Sequence, residues 1–270
     1  MAGDAPGGKA AALNAGVRAA TGDVLVFTDT GQRFEPNAIA RLVQALQHDT
    51  RAAAVSGALT TSSAATGRLS VGDLYWRYER WVRLWESRLH SSIGVTGAVY
   101  AMRRALWTPL PPGLILDDLF VPMHAVLRGY RIGFEASARA TDHRPFSPRD
   151  EYRRKVRTLT GVLQLCAWLP GVVVPWRNPV WLQFVSHKLL RLLTPYLLLA
   201  GAASAVAMLA VQLGTTVVWR GAGVALAAVL VAVMASRRLR DGVWGMVLMQ
   251  AAIVRATINA ARGEWDVWRG

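Results

Sequence analysis

Apolar and polar residues follow two rhythms along this chain. Over roughly the first 160 positions they alternate in short blocks, and beyond Val180 apolar residues dominate. Lys9 to Ala20 is an alanine-rich stretch closed by Thr21-Gly22 and predicts a helix. Val24 to Thr28 is an unbroken apolar run ending at Asp29 and predicts a buried strand. Asn37 to Gln47 predicts a second helix, with Pro36 in a starting position where its missing N–H costs little. Ala52 to Leu59 reads as a strand, followed by a loop of Ser, Thr, Ala and Gly. From Asp73 to Leu89, Leu74, Tyr78, Trp81, Trp85 and Leu89 recur at three- and four-residue steps with Arg77, Arg80 and Arg83 between them, which marks an amphipathic helix. Gly97 to Met102 predicts a short strand, Met123 to Arg128 a helix, and Arg131 to Phe134 a strand after the Gly129-Tyr130 turn. Helix and short strand in alternation indicate an α/β layer.

The second rhythm is that of a membrane segment. Leu192 to Leu213 holds 22 residues without a charge, enough to cross about 30 Å of hydrocarbon. Val217 to Ser236 predicts a second span, with Arg220 at its edge able to snorkel. Arg237, Arg238 and Arg240 then mark a cytoplasmic loop, which places residues 1–190 on the cytoplasmic side as well. Val243 to Val254 is a shorter apolar run; extended through Ala261 it reads as a third span, the alternative being an interfacial helix. Before the first span, Trp168, Trp176, Trp181 and Phe184 suit the headgroup layer, or else pack on the preceding domain. Residues 1–160 are therefore read as a cytoplasmic domain, 161–191 as an interfacial segment, and 192–270 as a transmembrane region of two or three helices.

Composition sharpens this picture. The formal charge is +14, carried almost wholly by arginine, since the only lysines are Lys9, Lys155 and Lys188. Such a balance calls for an anionic partner: lipid, substrate or nucleic acid. Nucleic acid fits least, because the arginines flank hydrophobic segments instead of forming a polar basic tract. The single cysteine, Cys166, excludes an internal disulfide. Met1 to Ala20 is rich in Gly and Ala and has no apolar core of a signal peptide.

Candidate chemistry centres on Asp117-Asp118, which follow the apolar run Leu114-Ile-Leu. Adjacent carboxylates there suit one proton-abstracting group and one ligand-positioning neighbour, or else the capping of a helix N-terminus. Arg153-Arg154-Lys155-Val-Arg157 is a cationic cluster fit for a leaving diphosphate or for anionic lipid. Gly3-x-x-x-x-Gly8-Lys9 spells most of a nucleoside-triphosphate loop, but Ala10 stands where Ser or Thr is needed and no strand precedes it, so that reading is rejected. His124 and His143 lack the sequence partners of a metal site, and His187 is read as an interfacial packing residue.

Several motifs in order carry a family resemblance. They are Gly7-Gly8-Lys9 to Gly16, Gly22-Asp23-Val-Leu-Val-Phe-Thr-Asp29, Tyr75-Trp76-Arg77-Tyr78-Glu79 and Thr96-Gly97-Ala98-Val99-Tyr100. Asp117-Asp118, Gly129-Tyr130-Arg131, Arg154-Lys155-Val-Arg157 and Ser186-His187-Lys188-Leu-Leu-Arg191 complete the series. Together they resemble the membrane-bound branch of the family-2 inverting glycosyltransferases, which includes cellulose, hyaluronan and poly-N-acetylglucosamine synthases. The resemblance implies a partial GT-A (Rossmann-like) cytoplasmic domain ahead of transmembrane helices. It implies transfer from a nucleotide sugar, expected to be a UDP-sugar, to a polysaccharide or lipid-linked hydroxyl.

Residue by residue, Asp118 matches the family's base and Asp117 its positioner. Asp29 matches a metal-binding Asp-x-Asp motif whose second position is Gly31 here, so Mg²⁺ or Mn²⁺ rests on one carboxylate; without the resemblance, Asp29 is simply a turn residue. Lys9, Asn14, Arg154 and Arg157 match donor contacts. Thr96 and Gly97 match acceptor contacts, a glycine bend being the plain alternative. Thr158 replaces a tryptophan that stacks on acceptor sugar in the polymerising branch, which argues against long-chain synthesis. The family's domain ordinarily begins well before the Gly-Lys segment. The resemblance therefore implies a missing donor-binding part, explained by a misplaced start codon, which is the favoured reading, by a natural truncation, or by a split protein completed by a partner chain, and it implies an exposed sheet edge. A non-catalytic remnant or accessory subunit of a glycan synthase is the alternative function.

Overall fold

The computed structural model describes residues 8–61, 71–143, 148–214, 216–217, 220–224 and 235–265. Helix α1 (Gly8–Ala19) leads into β1 (Val24–Phe27) and β2 (Gln32–Phe34), followed by α2 (Ala38–His48) and β3 (Ala52–Thr61). Then come α3 (Val71–Leu89), β4 (Tyr100–Arg103), α4 (Asp117–Leu127), β5 (Arg131–Asp142) and α5 (Pro148–Trp168). Beyond a 3₁₀ turn at Pro170–Val173, α6 (Trp181–Phe184) passes through a π-helical turn (Val185–Leu189) into α7 (Leu190–Leu213), and α8 spans Arg237–Ala261.

The five strands form one mixed sheet in the order β1-β4-β3-β5-β2, in which only β3 and β5 run parallel. Alternation along β4 distributes the core: Tyr100 and Met102 face the layer of α4, α5 and α8, while Val99 and Ala101 meet Leu42 and Leu46 of α2. Expected as a buried strand, Val24–Phe27 instead lies at the sheet edge, where among the described residues it pairs with β4 alone, and Val26 is exposed. Strand β5 runs on from Phe134 to Asp142, because its second half pairs with the end of β3 and with β2.

Helix α4 begins at Asp117, ahead of the expected start at Met123, and contains Pro122. Proline supplies no N–H to the carbonyl four residues back, which is that of Asp118. The Val95 N–H takes that carbonyl instead, at 3.0 Å, and so ties the loop before β4 to the acid pair. Helix α5 crosses the expected 160–161 boundary without a break, with Leu159, Val162 and Leu165 in the core.

The two long apolar helices differ. Leu197, Leu198, Leu199 and Val211 of α7 are exposed. In α8, Ala252, Ile253 and Ala256 are fully buried in the core cluster that includes α5. Both Trp181–Gln212 and Leu239–Ala261 are long and apolar enough to cross a membrane. The expected span at Val217–Ser236 falls mostly outside the described residues.

Candidate active site

The end of β1, the start of α1 and the start of α4 converge on one point. Lys9 Nζ lies 3.0 Å from Asp117 Oδ1 and 3.6 Å from Asp29 Oδ1. Burial works against the Lys9 ammonium, but Asp117 and Asp29, with Asp118 behind them, outweigh it and raise its pKa above the ordinary lysine value. Asp117 is thus engaged by a cation at 3.0 Å, while Lys9, Arg83 and Lys188 act on Asp118 as neighbouring charges. Burial, reinforced by the neighbouring Asp117 charge, pushes the Asp118 carboxyl up to about 6, against the pull of Lys9, Arg83 and Lys188. A carboxylate with that basicity is suited to take a proton near neutral pH.

These acids border a cavity of about 280 Å³, whose walls also carry Arg154 and Arg157 from one face of α5. The loop before β4 forms another wall. Its Thr96 N–H donates to Ser56 Oγ at 2.8 Å, and Arg83 donates to Thr96 Oγ1. Gly97 lies beside Asp118, and a Cβ there would touch Asp118 Cβ at 3.4 Å. The expected donor and acceptor residues Lys9, Asp29, Thr96, Gly97, Arg154 and Arg157 all line this cavity beside Asp117 and Asp118. Asn14 does not. Its amide donates to the Leu110 carbonyl at 2.8 Å and accepts from the Leu110 N–H at 2.9 Å, so it secures a loop and lies outside the cavity wall.

Sequence reasoning missed two supporting groups. Gln164, fully buried on α5, accepts from the Ile115 N–H at 2.9 Å and donates to the Gly113 carbonyl at 3.0 Å, pinning the segment that delivers the acid pair. Gly161 permits that approach, since a Cβ there would meet Leu116 Cγ at 2.5 Å. The second group forms another part of the cavity wall. The π-helical turn presents His187, whose Nδ1 is 3.0 Å from Glu86 Oε1 and whose Nε2 is 3.3 Å from Glu79 Oε1. His187 is therefore a bridge between two buried acids and not an interfacial packing residue. Burial alone would raise the Glu79 carboxyl, but the hydrogen bond from His187 and the charges of Lys188 and Arg83 hold it well below the usual range. Glu79 and Glu86, seven residues apart on an aromatic-rich helix, were the available signal: acids on a face destined for burial require a cationic partner.

Of the aromatics before α7, Phe184 is fully buried, Trp181 Nε1 donates to the Val173 carbonyl at 2.9 Å, and Trp176 is exposed.

A curled mixed sheet with acids gathered at a strand end and a helix start is a GT-A-like α/β fold. The family model "Glycosyl transferase family 2" matches residues 4–106, less than half of the chain. Among solved structures, the chain is similar to the mannosyltransferase PcManGT from Pyrobaculum calidifontis in complex with GDP-Man and Mn²⁺. The match has 24% identity and a TM-score of 0.66, and covers 94% of this chain and 66% of that protein. A weaker likeness is to glucosyl-3-phosphoglycerate synthase from Mycobacterium tuberculosis in complex with Mg²⁺ and UDP, at 20% identity and a TM-score of 0.39, covering 59% of this chain and 54% of that one. The chain thus spans just under two thirds of the first of these proteins and about half of the second. No curated protein matches it.

Proposed function

We propose that the chain is the catalytic part of a membrane glycosyltransferase that moves a sugar from a nucleotide-sugar donor to a hydroxyl acceptor with inversion. The observation that carries this reading is the pairing of an elevated-pKa Asp118 with a Lys9-bound Asp117 in a cavity that also holds Arg154 and Arg157. Asp118 accepts the acceptor's proton as its oxygen attacks the anomeric carbon, and the diphosphate departs from the opposite side. Arg154, Arg157 and Lys9 hold the departing phosphates through charge-assisted hydrogen bonds. Asp117 keeps Lys9 in place, and Thr96 and Gly97 shape the acceptor's approach to Asp118.

A divalent cation fits the donor end in one particular way. Among the described residues, no group of three or more His, Cys, Asp or Glu could cage an ion. The Lys9 ammonium nevertheless lies within reach of both Asp29 and Asp117, which marks a place suited to positive charge. Mg²⁺ or Mn²⁺ commonly takes one or two carboxylates and completes its shell with substrate phosphate and water. Asp29 would supply the protein ligand, and the ion when bound would neutralise charge on the leaving diphosphate.

The exposed apolar surface of α7 and the arginines after the second apolar stretch support a multi-pass protein with its catalytic domain in the cytoplasm. The acceptor is then a growing glycan or a lipid-linked sugar, with Thr158 in place of an acceptor-stacking tryptophan favouring short transfers.

The test is nucleotide release by the full chain in nanodiscs, with UDP- and GDP-sugars and with Mg²⁺ or Mn²⁺. Turnover that disappears in Asp118→Asn while nucleotide binding persists is the expected result. Undiminished turnover in that variant would refute the assignment of the base, and no turnover in a folded wild-type sample would favour the non-catalytic accessory reading.

A further inference from the structure

Helix α3 has three faces. At about 100° per residue, Tyr78, Trp81, Trp85 and Leu89 fall in one narrow stripe. Glu79, Arg83 and Glu86 lie roughly 120° to one side, on the cavity, and Arg77 and Arg88 roughly 75° to the other. Among the described residues the stripe is largely uncovered: Tyr78 is 56% exposed, Trp81 58%, Trp85 46% and Leu89 75%. Its rings touch one another, with centroids 6.5 Å apart for Tyr78–Trp81 and 6.2 Å for Trp81–Trp85, and Arg88 lies over the Trp85 ring. Four large apolar side chains in a row differ from the singly scattered hydrophobes of an ordinary surface and mark a contact site.

Two observations identify the occupant. The cavity face of α3 is bonded through Glu79 and Glu86 to His187, on the helical run that continues into the uncovered Leu197, Leu198 and Leu199 of α7. The stripe therefore belongs to a helix tied through His187 to the first turns of the candidate span Trp181–Gln212. Exposed Trp176 and Leu182 flank the same junction. Its chemistry is also that of a headgroup layer, with aromatic rings in the centre and exposed Arg77 and Arg88 along one margin. A carbohydrate platform would present coplanar rings, whereas Trp81 and Trp85 are inclined at 61°.

We propose that α3 is an interfacial helix, its Tyr78–Leu89 stripe sunk into the lipid headgroup layer and its Arg77 and Arg88 set on anionic headgroups. This rests on the membrane reading above and adds to it a contact outside the spans. The helix that supplies Glu79, Arg83 and Glu86 to the cavity then seats that cavity at the bilayer surface, where a membrane-borne acceptor can reach Asp118 without crossing open water.

The experiment uses the full chain with its lone cysteine removed (Cys166→Ser) and an environment-sensitive fluorophore attached at one new cysteine. The new sites are Trp85→Cys or Trp81→Cys on the stripe, Leu198→Cys in the candidate span, and Thr50→Cys on the exposed turn after α2. Each protein is placed in nanodiscs of phosphatidylcholine and phosphatidylglycerol and challenged with spin-labelled lipid or with aqueous iodide. Strong quenching by shallow spin-labelled lipid and protection from iodide at both stripe positions, but not at position 50, is the expected result. If the stripe labels behave like position 50 while position 198 is lipid-quenched, the interfacial role is overturned and the membrane reading stands. If position 198 is also unquenched, both fall. Stripe labels shielded from iodide yet untouched by lipid quencher would reveal a protein contact, such as a second copy, and would also overturn the proposal.

Discussion

The two ends of the cavity are built in opposite ways. At the sheet end, Lys9, Asp29 and Asp117 sit at the terminus of a helix or just past a strand, and Lys9 and Asp29 keep 42% of their side-chain surface open. At the helical end, Glu79, Glu86 and His187 project from within helical turns, are 12% exposed or less, and are bonded to one another. Lys9 and Asp29 at the first end stay open to a ligand while Asp117 is buried against Lys9; charge at the second is closed on itself.

Breaking each end should therefore produce different losses. The largest expected effect is on chemistry: Asp118→Asn should lower kcat by about 10² to 10⁴, the range of a single general base, with donor affinity by calorimetry unchanged. His187→Leu comes next. It removes the one group bonded to both buried acids, leaving Glu79 the more distant Arg83 and Glu86 the Ser92 hydroxyl, and should cost about 3 kcal/mol of stability in denaturant titration. Donor binding measured under folded conditions should survive; a variant as stable as wild type would show that the bridge is dispensable.

Proton titration separates the ends without mutation. Asp118 acts as a base only when ionised, so kcat/KM should fall about tenfold per pH unit below about 6. Its raised pKa favours the protonated folded state, so that loss is not unfolding. Glu79 has the opposite sign. Its lowered pKa gives stability that is present above the unfolded carboxylate value and is lost only as pH falls through the much lower folded value. Activity should therefore disappear well before far-UV circular dichroism changes; coincident transitions would contradict the assignment.

Two smaller effects sharpen the contrast. Gln164→Leu leaves the Ile115 N–H and the Gly113 carbonyl without their side-chain partner and should cost about 1–3 kcal/mol, with a lower kcat as the acid pair loses its support. Asn14→Ala should cost about 1 kcal/mol and leave the donor dissociation constant unchanged, because its amide serves Leu110 and not a ligand.

Local pattern made much of the scaffold legible. Helices α1 and α2 and strand β3 lie close to where composition and turn residues place them. What escaped depended on remote partners. The second half of β5 is defined by its pairing with β2 and the end of β3, and the early start of α4 coexists with Pro122, whose missing N–H leaves the Asp118 carbonyl to Val95. The amphipathic period of α3 was plain, but not that its aromatic stripe would face outward while Glu79 and Glu86 turned inward.

By itself the sequence determined which chemistry was on hand: an acid pair, a block of arginines, a lone carboxylate after a strand, and an apolar helix long enough to span a bilayer. These are properties of residue type and short-range spacing, and they survive any arrangement of the chain. Tertiary structure alone decided the roles. It placed Lys9 on Asp117, raised the Asp118 carboxyl by burial, spent Asn14 on a loop, and turned His187 into a bridge between two acids. A charge takes its pKa and its partner from distance and burial, and both are fixed by contacts between segments far apart in the chain.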